Sequence, residues 1–401
     1  MGRVQRSDKP ALRSDERKSL IELDARGFDA LLASKEYAHL ADFCKKRETL
    51  GRAAPPVEAS WLRESDHPAA EELGRELRAN CDHLVVLGMG SHLLAFQALM
   101  DCQPGSGARA IEESSLKIHR LGDGLDENRL VEMLGLCESR TARVGLIVLA
   151  YGSPPAQLSW LFRLLEQALE TRYSEPELLR RIVLVSDASG RTLAERAYRQ
   201  VVLHEQLRTP QLIFTPLSLV GLWLTGLEAG PFCEGVRSQL RASEKMDVSH
   251  PAGVYALVRH LMLRETGGRE TFLALSASQQ PLGQWWLSLM TPTALALTPD
   301  GCCPSGLCLP AGLHQPQSAR GFDVSVEYRE ATTREATGDL HESCAALIKQ
   351  TWSKRGGAGC FGLVVPRSDL FSLGALLAFL GSAAGASQAI VSERPDRQAS
   401  S

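Results

Sequence analysis

Residues 84–100 read LVVLGMGSHLLAFQALM, and this stretch constrains the fold more tightly than the rest of the chain. Residues 84–87 are four apolar residues in a row, two of them β-branched, as in a short strand buried on both faces of a parallel sheet. Gly88, Gly90 and Ser91 follow at once, and then an apolar-rich segment that reads as a helix. Glycine lets a ligand approach the backbone, and a helix N-terminus offers unpaired N–H groups with partial positive charge. A strand, a glycine turn and a helix start in that order make a place for an anion or a sugar. A lone Gly-x-Gly also serves simply to turn the chain, and both readings stand at this point.

The same rhythm continues along the chain. Strands are predicted over 83–87, 116–121, 144–150, 181–186 and 211–214, with helices over 91–100, 126–136, 155–171 and 190–206. Alternation of this kind means a parallel sheet covered by helices on both faces, joined by right-handed connections. Helical segments over 217–227, 232–240 and 252–264 lead into a second series. That series is strand 271–276, helix 281–291, strand 322–328, helix 339–352, strand 360–365 and helix 369–382, interrupted by a Pro-, Gly- and Cys-rich loop at 298–321. The predicted fold class is α/β, two three-layer α/β/α parallel-sheet domains with an N-terminal helical segment. Residues 19–80 carry helical periodicity, broken at Ala53-Ala54-Pro55-Pro56. The predicted division is a polar disordered tail at 1–18, a first unit at 19–215, a second at 216–385 and a frayed tail at 386–401.

Composition narrows the function classes. A formal charge of -3 over 401 residues exerts no strong pull on nucleic acid or an anionic membrane, and neither is expected as a partner. On inspection no apolar run reaches the ~18 residues that span a bilayer. The first residues, MGRVQRSDKP, are charged and lack an apolar segment, so no secretory signal is expected. Ten thinly spread cysteines fit a reducing compartment, so a cytoplasmic protein with free thiols is expected. No cofactor and no metal is expected. Cys302, Cys303 and Cys308 lack zinc-site spacing. Asp187, Ser189 and Arg191 follow a strand, where they either face a ligand crevice or cap a helix. His92 either touches a ligand or helps open its helix. Trp285 and Trp286 read as core or interface aromatics, and Arg63, Glu64 and Asp66 as a solvated loop.

Taken in order, these pieces resemble glucose-6-phosphate isomerase in its compact bacterial form, over roughly residues 20–385. LVVLGMGSHL looks like the family's strand followed by Gly-Ile-Gly-Gly-Ser. GLIVLAYGSPPAQLSWLF sits where the family has a strand, Ser-Lys-Ser-Gly-Thr-Thr and a helix. RIVLVSDASGRTLAERA is similar to the next strand and helix, FLALSASQQPLGQWWLSL to the strand and helix before Gln-Leu-Trp-Ala-Glu-Ser, and GCCPSGLCLPAGLH to the loop before the active-site histidine. The resemblance implies two sugar-isomerase sheet domains, a sugar or sugar-phosphate ligand held by Gly88, Gly90, Ser91, Ser153, Asp187 and Arg191, and a homodimer or pairing with an active isomerase.

The functional residues depart from that pattern. The phosphate loop corresponds to Ala150, Tyr151, Gly152, Ser153, Pro154 and Pro155, with proline at both threonine positions. Proline brings neither hydroxyl nor N–H. The family's arginine falls near Ile213, its catalytic glutamate at Pro292, and its last lysine has no counterpart. His314, the ring-opening histidine by resemblance, is the one catalytic candidate that survives, after Gly312 and Leu313. Aldose–ketose isomerisation needs a base, a cation for the oxyanion and a grip on phosphate. The expectation is therefore a retained fold with lost chemistry, a binding or scaffold protein. The alternative is an active isomerase of glucose 6-phosphate, fructose 6-phosphate or a related sugar with relocated catalytic residues.

Overall fold

The computed structural model of the chain describes residues 19–52, 66–103, 116–122, 126–152, 155–187, 193, 196–203, 209–244, 246–266, 269–274, 276–297, 307–310, 321–330 and 359–393. Among them run ten strands: β1 (Glu22–Arg26), β2 (His83–Leu87), β3 (Lys117–Leu121), β4 (Val144–Leu149), β5 (Ile182–Ser186), β6 (Arg199–Val202), β7 (Arg269–Ala274), β8 (Leu307–Pro310), β9 (Gly321–Glu330) and β10 (Cys360–Arg367). They form two five-stranded sheets, β3-β2-β4-β5-β6 and β1-β10-β9-β7-β8. The first is parallel throughout, and in the second only β1 runs antiparallel, Glu22 opposite Val364 and Arg26 opposite Cys360. The predicted two-sheet α/β fold is the observed one.

The continuous apolar runs dictate the middle strands. Val144–Leu149 and Ile182–Ser186 are buried along their whole length because helices cover both faces. On one face, Val85, Leu87, Leu146, Val148 and Leu184 pack against the helices Glu127–Glu138 and Ala156–Glu170. On the other, Leu84, Val86, Ile147, Leu149, Val183 and Val185 join one core that continues into Phe272, Phe322 and Phe361 of the second sheet. Trp285 and Trp286 are buried in that core, as their apolar context predicts.

The edges differ from the sequence reading. The N-terminal segment, expected to be helical, opens with β1, whose Leu23 and Ala25 alternate toward the core. It belongs to the second sheet although it precedes the first in the chain. Residues 190–206, expected as helix, contain β6, where Val201 is buried between exposed Gln200 and Val202. Residues 211–214, expected as strand, form the 3-10 helix Thr209–Phe214. Pro210 has no N–H to give a ladder, and the three apolar residues after it fill the core instead. The expected loop at 298–321 contains β8, which is an edge strand and so tolerates its terminal Pro310. An unforeseen helix, Glu175–Arg181, starts at a capping box in which Ser174 and Glu177 bond reciprocally.

The last helix also exceeds expectation. Leu370–Glu393 runs well past residue 385, and Ala386, Ser387 and Ile390 are buried, so the first part of the expected tail is core. By length and composition this helix could cross a membrane, a property the apolar-run inspection missed because Gly and Ser interrupt it. Here 83% of its most apolar window is buried inside the protein. It packs closely on the helix Ala229–Ser243: a Cβ at Gly235 would strike the Phe371 carbonyl, and one at Gly374 the Phe232 carbonyl. The predicted tail at 1–18 and helix at 339–352 lie outside the described residues.

Candidate functional site

In the first sheet the chain leaves β2 toward β3 on one side and β4 toward β5 on the other. Loops that diverge in this way leave a crevice at the carboxyl ends of the two strands, where open α/β sheets bind ligands. Residues 88–90 leave β2 and residues 150–152 leave β4 at that crevice. Sequence and topology therefore bring the glycine turn and the altered phosphate loop to one place.

The turn after β2 is built from three glycines on two strands. The Gly88 N–H donates to the Leu121 carbonyl at 3.0 Å. Beyond that bond Gly122 lies against the Gly88 carbonyl, so closely that a Cβ on Gly122 would overlap it. A Cβ on Gly88 would come within 2.9 Å of Leu149 Cδ1. Gly88 is thus a packing glycine. Gly90 is different: it has φ 58° and ψ -137°, and the space over its Cα is open. It is the N-cap of the helix Ser91–Asp101 and contributes no capping side chain. Ser91 is the first residue of that helix.

Across the crevice, Ala150 N–H donates to the Val185 carbonyl at 2.8 Å, which fixes the chain as it leaves β4. Gly152 has φ 74°, again with no atom of the described residues close to where a Cβ would be. Two positive-φ glycines, Gly90 and Gly152, therefore stand at the two sides of the switch point. Between them Tyr151 is only 6% exposed, and its ring meets His92 edge to face with centroids 6.1 Å apart. Pro155 is the N-cap of the helix Ala156–Glu170 and caps it with no side-chain hydrogen bond. Asp187 stands at the end of β5, 6% exposed, beside a buried Ser186 whose hydroxyl has no hydrogen-bond partner among the described residues.

The structure thus brings together Gly88, Gly90, Ser91 and Asp187 at the carboxyl end of the first sheet. Ser153, Arg191 and His314 lie outside the described residues, as do Ser189, Cys302 and Cys303. Ile213, near which the resemblance puts the family's arginine, is 1% exposed and belongs to the core. Pro292, at the position of its glutamate, lies within the helix Gln280–Leu297. Sequence reasoning missed the Tyr151–His92 contact, the second open glycine at 152 and the support from Gly122. The Gly at 152, three residues past the end of the 144–149 strand, was the available signal. Among the described residues no group of three or more His, Cys, Asp or Glu converges to hold a metal.

No family model matches the chain. It is 21% identical over 222 residues to glucose-6-phosphate isomerase of Clostridioides difficile, covering 53% of this chain and 49% of that protein. It is 24% identical over 221 residues to the enzyme of the same name from Heliobacterium modesticaldum, covering 53% and 49%. The chain thus spans about half the length of these curated relatives. Among solved structures, a hypothetical protein from Thermus thermophilus matches 92% of this chain and 94% of its own, at a TM-score of 0.66 and 16% identity. Glucose-6-phosphate isomerase of Chlamydia trachomatis matches 88% and 81%, at a TM-score of 0.66 and 13% identity. In sequence, over about half its length, the chain is similar to glucose-6-phosphate isomerases as a divergent relative, and over most of its length it shares their fold.

Proposed function

We propose that this protein keeps the sugar-isomerase fold as a binding or scaffold member, without aldose–ketose isomerase chemistry, and takes a carbohydrate derivative in the crevice between β2 and β4. The observation that carries the reading is the start of the helix Ala156–Glu170. An anion held there needs N–H and hydroxyl donors at the first turn. The N-cap position is Pro155, which offers neither and makes no capping bond. Proline there suits the fold, since its fixed φ is ready for a helix start. The loop therefore folds well and grips phosphate poorly. The buried Ile213 at the arginine position supports the same reading. The positive-φ glycines Gly90 and Gly152, which carry no side chain at the crevice, support ligand entry, and homodimerisation or pairing with an active isomerase in the cytoplasm completes the proposal.

The test is a coupled isomerase assay together with thermal melting in glucose 6-phosphate and fructose 6-phosphate at millimolar concentration. The expected result is no turnover and no melting shift from either. A ligand present at a hundredfold its Kd would stabilise the protein by about 2.7 kcal/mol, which melting resolves. Turnover, or a shift abolished by Arg191→Ala or His314→Ala, overturns the reading in favour of a working isomerase. The buried Asp187 carboxylate at the crevice is the observation that would then supply its acid–base group.

A further inference from the structure

Far from the crevice mouth, the first sheet carries two histidines in direct contact. His83 opens β2 and His119 lies in the middle of β3, each with its ring on the side of the helix Glu127–Glu138. His83 Nδ1 and His119 Nε2 are 2.9 Å apart, and the rings stack at 5.2 Å with 14° between their planes. In such a contact one ring nitrogen donates and the other accepts. It survives while at least one ring is neutral. When both are protonated, two like charges face each other across the same 2.9 Å.

The surroundings set which way the pair leans. Lys117 lies on β3, two residues before His119, and Arg129 faces His119 from the helix Glu127–Glu138. The acidic neighbours are already engaged: Glu132 with Arg129 at 2.7 Å, and Asp82 with Arg143 at 2.5 Å. β4 offers only Val144 opposite His83. Burial is the largest influence on each ring and pulls both below the ordinary histidine value of 6.5; Lys117 adds to this for His83, and the facing His83 for His119. A base whose folded-state value is depressed stabilises the fold above its unfolded value and loses that contribution as pH falls below it. The pair therefore contributes in full above about pH 6.5, and the contribution is lost as pH falls from there through the lower folded-state values.

What it holds is the edge of the sheet. β3 pairs with β2 alone among the described strands. Two residues past His119, the Leu121 carbonyl accepts the Gly88 N–H and Gly122 braces the Gly88 carbonyl. We propose that the His83–His119 pair is an acid-sensitive clasp that holds the edge strand β3 and, through Leu121 and Gly122, the Gly88–Gly90 turn of the crevice. Its effect on ligand binding rests on the reading of that crevice given above; the release of the strand does not.

The test is hydrogen exchange on the full chain at pH 7.5 and 5.0, corrected for intrinsic rates. In the unmodified protein, residues 83–91 and 117–122 should exchange about tenfold faster in acid relative to residues 144–149, the factor that accompanies each pH unit over which the released strand binds one proton more than the closed one. His119→Gln, which keeps a hydrogen-bonding partner for His83 without a titrating ring, should remove that difference. Equal acid sensitivity of the variant, or no acid difference in the unmodified protein, overturns the clasp. Should the variant fail to fold, histidine NMR titration of the unmodified protein decides: two coupled steps below 6.5 support the clasp, and independent titration at the ordinary value overturns it. Release of the strand in acid with no binding of glucose or fructose at either pH supports the clasp and counts against the crevice reading alone.

Discussion

Glu270 is where a single substitution should cost most. It lies on β7, 4% exposed, and gathers three donors: the Tyr255 hydroxyl, Arg259 Nε at 2.7 Å and Trp286 Nε1 at 2.9 Å. Arg259 is buried as deeply and donates a further bond to the Met290 carbonyl at 3.2 Å. The cluster ties the helices Pro251–Thr266 and Gln280–Leu297 to the sheet. Burial and the Glu270 charge together push the Tyr255 hydroxyl well above its usual range, so it stays protonated and donating. Removing one partner of a buried ion pair strands the other, at about 3–5 kcal/mol. Glu270→Ala should therefore lose about 4 kcal/mol, and Glu270→Gln about 3 kcal/mol because its amide nitrogen faces a donor. The double change Glu270→Leu with Arg259→Met removes both charges and should recover most of the loss. Urea unfolding followed by Trp285 and Trp286 fluorescence measures each. A cost below 1 kcal/mol for Glu270→Gln, or a double variant as unstable as Glu270→Ala, refutes the reasoning.

Gly122→Ala should destabilise by about 2 kcal/mol or more, since φ is 149° and the new Cβ would overlap the Gly88 carbonyl. Gly135→Ala, helical with open space around it, should stabilise by about 0.5–1 kcal/mol and serves as the control. The ten thiols should all titrate in denatured, unreduced protein, while native Cys81, Cys137 and Cys233 react slowly at pH 8. Burial pushes these thiols up to about 11, 12 and 11. Rapid native labelling of these three, or fewer than ten titrated thiols, would contradict this.

The parts of the fold legible in the sequence are those whose burial is two-sided. The runs at 84–87 and 144–149 admit one reading, because few loops or surface helices hold so many consecutive apolar residues. Edge strands are one-sided or short: β1 and β6 carry a pattern a helix can mimic over four or five residues, and β8 is four residues set in a Pro-, Gly- and Cys-rich stretch that reads as loop. Gly88 and Gly90 were legible because turn chemistry restricts their identity, whereas Gly122 and Gly152 act through a neighbouring strand and a second loop that the local pattern does not show. The Glu270 cluster was not, although Arg259 inside ALVRHLML was a visible anomaly: a charge amid apolar residues needs a partner, and the sequence does not say which. The His83–His119 contact depends on register between two strands separated by a helix, which no local pattern encodes.

The placement of β1 has a consequence for how the protein is made. All of the first sheet lies between β1 and its partner β10, so its strands can pair as they are synthesised, through short crossovers. The second sheet cannot close until β10 exists, and the same delay governs the bond from Thr49 to Glu393, 344 residues apart. Such long loop closures are slow. On the ribosome the first sheet should therefore stand folded while β1 waits beside it unpaired, an open edge that a nascent chain must shield until its last strand arrives.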